Sequence, residues 1–135
     1  MQHVMIWSFL LFILVGCGTT TAVTETPEAI HVRWLAAIRT NDRASALALI
    51  SEDVAERAVF VDQTLQTMQD LMTTPSSPTG GLIVIETRTP TDAGQGKRVI
   101  SVWRFANKTW CYATDLTATG DGWRVAQWGQ IARCP

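Results

Sequence analysis

The chain reads as an α+β protein, with helices first and a curved, mainly antiparallel sheet after them. Two observations carry this reading. Apolar residues recur at three- and four-residue spacing as far as Met72, and beyond the breaker cluster "TTPSSPTGG" short β-rich runs alternate with turn residues. A block of helices followed by a block of strands is the plan in which a sheet packs against a helical layer.

The first helix opens in "TPEAIHVRWLAAIRTND", where Thr26 suits the N-cap, Pro27 the first helical position and Glu28 the positive first turn. Ile30, Trp34, Leu35 and Ile38 then recur at helical spacing, and Asn41 suits the exit. Asp42 caps a second, short helix, "RASALALI", with Ala44, Leu47 and Ile50 on one side. Ser51, ahead of Glu52 and Asp53, starts a third helix. Its stripe of Val54, Ala58, Val61, Leu65, Met68 and Met72 is the strongest helical signal in the chain.

"GLIVIETR", "KRVISVWRF", "KTWCYATDLT" and "WRVAQWGQIA" read as four strands. A few residues around Ala106 and Asn107 separate the second from the third, and Gly120-Asp121-Gly122 separates the third from the fourth, so both connections read as hairpins. With Phe105 opposite Lys108, Trp103 faces Trp110 and Ser101 faces Tyr112 on one side of the sheet. A matching register across the Gly120 turn adds Leu116, Trp123, Val125 and Ile131 to that core-facing side. The other, mixed side then carries Ile100, Val102, Arg104, Thr109, Cys111, Asp115, Arg124, Trp128 and Cys134.

The two ends of the cysteine pair Cys111 and Cys134 thus share a side, which favours a disulfide over two free buried thiols. Straight pairing sets Cys111 level with Trp128 rather than Cys134, so closing the bridge requires a bulge or a returning chain. No CxxC and no Cys/His cluster with zinc spacing is present, and neither a metal nor a cofactor is expected. Eleven Lys and Arg against twelve Asp and Glu give a net charge of −1, which offers no electrostatic case for nucleic acid.

The uncharged apolar run from Val4 to Gly16 is shorter than the roughly 20 residues a membrane-spanning helix needs, and has signal-peptide length. Its n-region, "MQH", carries only His3. "LVGC" resembles the lipobox of bacterial lipoproteins, which implies that Cys17 is lipidated and becomes the mature N-terminus; a plain cleaved signal and a short uncleaved anchor are the alternatives. The chain then divides into a signal peptide (1–16), a Thr-rich flexible tether (17–25) and one domain (26–135). The resemblance implies a protein held by the lipid on Cys17 at the cell membrane or outer membrane, facing the extracytoplasmic side.

An opening helix with an aromatic, the polar turn "TND", an alanine-rich second helix and the late turn-Trp strand "GDGWRVAQW" together resemble the NTF2-like (cystatin-like, SnoaL-like) superfamily, especially small bacterial lipoproteins. The resemblance covers most of residues 26–132. It implies a cone, in which the sheet curves around the long helix and leaves a pocket at its open end. Such pockets serve enzymes, binders and structural modules alike.

Enzymes of that superfamily use an Asp or His inside the cone, with a tyrosine or second acid stabilising an oxyanion. Here His31 reads as a surface or edge histidine, Asp62 as solvated or locally ion-paired, and Asp115 as the partner of Arg124 across two strands. No acid–base constellation assembles, so a non-catalytic domain is expected, with an isomerase, dehydratase or hydrolase as the alternative. Trp103, Trp110, Trp123 and Trp128, with Tyr112 among them, either fill the core or line a pocket for an apolar ligand. Trp128, beside Arg104 and Arg124 on the mixed side, is the expected partner-binding patch. The expected partner is a small apolar ligand or an envelope protein, and a homodimer formed through the sheet is a further reading.

Overall fold

The computed structural model describes residues 24–73, 82–105 and 108–135. The lipobox, Cys17, the first part of the tether, the "TTPSSPTGG" cluster after Thr73 and the hairpin tip at Ala106 and Asn107 lie outside the described residues.

Helix α1 (Pro27–Arg39) starts where Thr26 Oγ1 accepts the Ala29 N–H at 3.2 Å, and it ends into Asn41, whose φ of 56° reverses the chain. Helix α2 (Arg43–Leu49) is capped by Asp42, which accepts the Ser45 N–H at 3.0 Å. Its buried residues are Ala46 and Leu49; Ala44 is exposed, contrary to the expected face. The reason lies at Ile50, which leaves the helix in an extended conformation and bridges Val125 instead of completing the helical stripe.

That bridge also delays the third helix. Ser51 donates its N–H to Val125 O at 2.8 Å, Val54 closes a turn onto Ser51, and Glu56 adopts φ 52°, so α3 (Arg57–Thr73) begins at Arg57 rather than Ser51. Val61, Leu65 and Met68 are buried as the stripe predicts. Ala58 and Met72, the latter 43% exposed, face solvent.

Five strands follow: β1 (Leu82–Thr87), β2 (Thr91–Ala93), β3 (Gly96–Phe105), β4 (Thr109–Thr119) and β5 (Gly122–Ile131). They form an antiparallel sheet of order β1-β3-β4-β5, with β2 also paired to β3. The sequence reading lacks β2, a three-residue strand with no apolar alternation. It folds back on β3 through a turn that Gly94 (φ 59°) permits.

The β3–β4 register is the expected one, with Trp103 opposite Trp110 and Ser101 opposite Tyr112. Across β4 and β5 it fails partway. Leu116 faces Val125, but a bulge sets Asp115 opposite Gln127, and one extra residue moves every later β5 side chain to the other face. Trp128 consequently lies opposite Thr114 on the inner, helix-facing side, only 8% exposed, while Ile131 moves to the outer side opposite Cys111. Both placements reverse the expectation. Asp115 likewise does not meet Arg124, which stands opposite Thr117; its partner is Arg98 on β3, at 2.6 Å.

The tight turn that pairs Thr119 with Gly122 and the bulge together settle the cysteines. Ile131 rather than Trp128 is level with Cys111, so a short returning tail brings Cys134 within 5.3 Å (Cα–Cα) and the disulfide closes. The core fills the space between the helices and the inner face. Trp34, Ile30, Ile38, Met68, Trp103, Leu116 and Val125 are among its fully buried large residues.

Candidate functional site

The inner face of β3, β4 and β5 carries Trp103, Tyr112, Thr114 and Trp128, and α1 lays His31 and Trp34 against the core from above. The aromatics form one cluster. Tyr112 stacks on Trp128 with ring centroids 4.8 Å apart and planes 10° from parallel, and Trp103 tilts against Tyr112 at 4.7 Å and against Trp128 at 6.1 Å. Trp110 stands apart, packed on Phe105 at 5.3 Å. Of the residues expected to bind, Tyr112, Trp103 and Trp128 are thus brought together, as packing within the core.

Polar groups inside this cluster satisfy one another in part. Trp103 Nε1 donates to Ser101 Oγ at 2.8 Å, and Ser101 Oγ lies 3.4 Å from the Tyr112 carbonyl it donates to. His31 is fully buried, with Nδ1 2.9 Å from Thr114 Oγ1. His31 Nε2 and the indole N–H groups of Trp34 and Trp128 have no hydrogen-bond partner. The surface or edge histidine of the sequence reading is therefore a core residue. The signal was present: His31, Trp34, Leu35 and Ile38 fall at i, i+3, i+4 and i+7, which is one face of a helix.

Burial governs the electrostatics here. Removing water from around His31 pushes its pKa down to about 4, so the imidazole is neutral at pH 7, and burial pushes the Tyr112 hydroxyl up to about 12. The buried polar residues are His31, Ser51, Thr64, Ser101 and Thr114, so among the described residues no buried carboxylate stands beside the histidine. The neutral imidazole keeps one N–H and one acceptor nitrogen, and it lies away from solvent. No group of His, Cys, Asp or Glu able to hold a metal occurs among the described residues.

Arg104 and Arg124 do not join Trp128. Arg104 lies on the outer face, its guanidinium forked onto Glu86 at 3.3 and 3.2 Å. Arg124 sits at the β4–β5 turn, where Nη1 donates to Trp123 O at 2.9 Å. Asp62, as expected, takes a local ion pair, with Arg43 at 2.6 Å.

Open space lies around that turn. A cleft of about 470 Å³ runs between Thr24–Glu25 and the turn, lined by Glu25, Ile30, Trp123 and Arg124 among others. A second, of about 370 Å³, lies on the other side of Arg124 against the connection from α2 to α3. Thr119 Oγ1 donates to Gly122 O at 2.8 Å and pins the turn that both clefts share.

No protein-family profile matches the chain, and no curated protein matches it either. Solved structures do. A crystal structure from Thiobacillus denitrificans, described as a calcium/calmodulin-dependent protein kinase type II association domain, superposes with a TM-score of 0.55 at 13% identity, over 80% of this chain and 95% of that one. One from Campylobacter jejuni, described as an NTF2-like transpeptidase, does so with a TM-score of 0.56 at 14% identity, over 76% of this chain and 99% of that one. The chain therefore has an NTF2-like fold, as the opening helix and the turn-Trp strand led one to expect.

Proposed function

We propose that this protein is a non-catalytic binding module of the cell envelope, anchored by lipid on Cys17 and facing the extracytoplasmic side, which binds a small ligand or a protein partner on its surface. The observation that carries the reading is the interior of the fold: Trp34, Trp103, Tyr112 and Trp128 fill it, and His31 is buried with no buried carboxylate beside it among the described residues. The enzyme alternative draws on the neighbour described as a transpeptidase. At 14% identity that likeness carries the fold alone, and Cys111 and Cys134, joined to each other, offer no free thiol nucleophile.

The anchor reading rests on the "LVGC" motif and agrees with a disulfide, which persists in oxidising compartments. A homodimer formed through the outer sheet face is the second reading, supported by the neighbour described as an association domain and by partly exposed Ile100 and Ile131 on that face. Val102, Cys111 and Ala113 between them are already buried, which leaves little free apolar area for a partner to cover.

Native and denaturing mass spectrometry on the chain isolated from its membrane in detergent tests this. The expected result is a Cys17 carrying lipid, a two-proton deficit for the disulfide, and a species with a bound partner or small molecule that dissociates on denaturation. An unmodified Cys17 would remove the anchor, a bare dimer would favour self-association, and a bare monomer under all conditions would remove the binding module.

A further inference from the structure

We propose that the 370 Å³ cleft beside Arg124 binds a small zwitterion, a free amino acid or dipeptide, with its carboxylate between Arg57 and Arg124 and its ammonium towards Glu52, Asp53 and Asp121. This deepens the binding-module reading by naming a ligand class, and depends on neither the lipid nor a protein partner.

Two guanidiniums and three carboxylates line this one cleft. Arg33, Arg43, Lys97, Arg98 and Arg104 each pair with a carboxylate. Arg57 and Arg124 share a cleft with three acids, yet among the described residues neither forms an ion pair. A ligand with its own separated charges suits a cleft lined by opposite charges that do not pair with one another.

Each guanidinium is steadied at one N–H and free at others. Arg57 Nη2 donates to Leu47 O at 3.1 Å while its Nε is buried with no partner, and Arg124 Nη1 donates to Trp123 O. The remaining N–H groups of the two forks suit a carboxylate, which accepts paired donors. Arg57 also opens the 17-residue helix α3, whose N-terminal end adds partial positive charge.

The frame is fixed before any ligand arrives. Ser51 is tied to Val125 O at 2.8 Å on one wall, and the Thr119–Gly122 bond fixes the turn on the other. A plain anion entering here meets three carboxylates and a plain cation meets two guanidiniums, so the mixed lining disfavours both. A zwitterion satisfies the two sets together.

The test is a titration of the ¹⁵N-labelled full chain, purified in detergent, with L-alanyl-L-alanine, and in parallel with propionate and with ethylammonium, followed by amide shifts. The dipeptide is expected to give saturable shifts confined to 51–57 and 119–124, with the single-charge probes far weaker. Arg124→Gln, at an exposed turn, should weaken the dipeptide by about ten- to a hundredfold, the loss of a charge-assisted hydrogen bond. The double change Glu52→Gln with Asp53→Asn should weaken the dipeptide and strengthen propionate. Absence of saturable shifts, an unaffected Arg124→Gln variant, or propionate binding as tightly as the dipeptide would each overturn the proposal. A protein partner found by mass with no dipeptide response would keep the binding module and remove this site.

Discussion

His31 decides much of the chemistry. Its folded pKa of about 4 lies below the ordinary value of 6.5, so the folded state binds fewer protons than the unfolded chain between those values. Stability therefore falls as pH drops from about 6.5 to about 4, by up to about 3 kcal/mol for this group, and the loss levels off below that. Denaturant unfolding at pH 7 and pH 4 should show this loss, and the His31→Gln variant should lack it. The exposed carboxylates held below their usual range, such as Asp62 beside Arg43, titrate equally in both proteins and cancel in the comparison. Trp128 gives a second residue-scale prediction. As a core aromatic stacked on Tyr112, its truncation to Ala should cost about 3–5 kcal/mol, whereas a surface tryptophan would cost under about 0.5.

At the scale of elements, the sequence gives away what local chemistry controls and withholds what tertiary contacts decide. The cap at Thr26, the exit at Asn41 and the β3–β4 register follow from residue type and spacing. The late start of α3 does not, because it depends on Ser51 reaching Val125 across seventy-odd residues of chain. The β5 bulge is equally silent in the sequence: Ala126 and Gln127 carry no glycine signal, yet they move Trp128 inward and Ile131 outward. His31 was legible on helical spacing, and its polar character hid it. One element-scale prediction concerns Gly96, where β3 begins. A Cβ there would lie 2.1 Å from Leu116 O on β4, so Gly96→Ala must push the strands apart and should lower stability by about 1–3 kcal/mol, read from its unfolding midpoint.

For the whole molecule, the disulfide and the packed interior set the terms. Cys111 and Cys134 are 23 residues apart, and the bridge fastens the chain end to the outer face of β4. Replacing both by serine should cost about 3 kcal/mol through the freed unfolded chain, visible as a lowered thermal midpoint. No helix among the described residues is long and apolar enough to cross a membrane. The candidate site was only half legible for the same reason as the fold. The aromatics were visible as a group in the sequence, but whether they line a pocket or close it depends on the bulge that turns Trp128 inward.

Side chains close the interior, and the proposed binding therefore falls on the surface. Hydrogen exchange at the indole N–H groups tests it most directly. The Trp103 proton, bonded to Ser101, and the buried Trp34 and Trp128 protons should exchange only through global unfolding, with that of partly exposed Trp123 far faster. Exchange of Trp128 as fast as that of Trp123 would mean that solvent enters the interior, and the pocket enzyme would return as the better account.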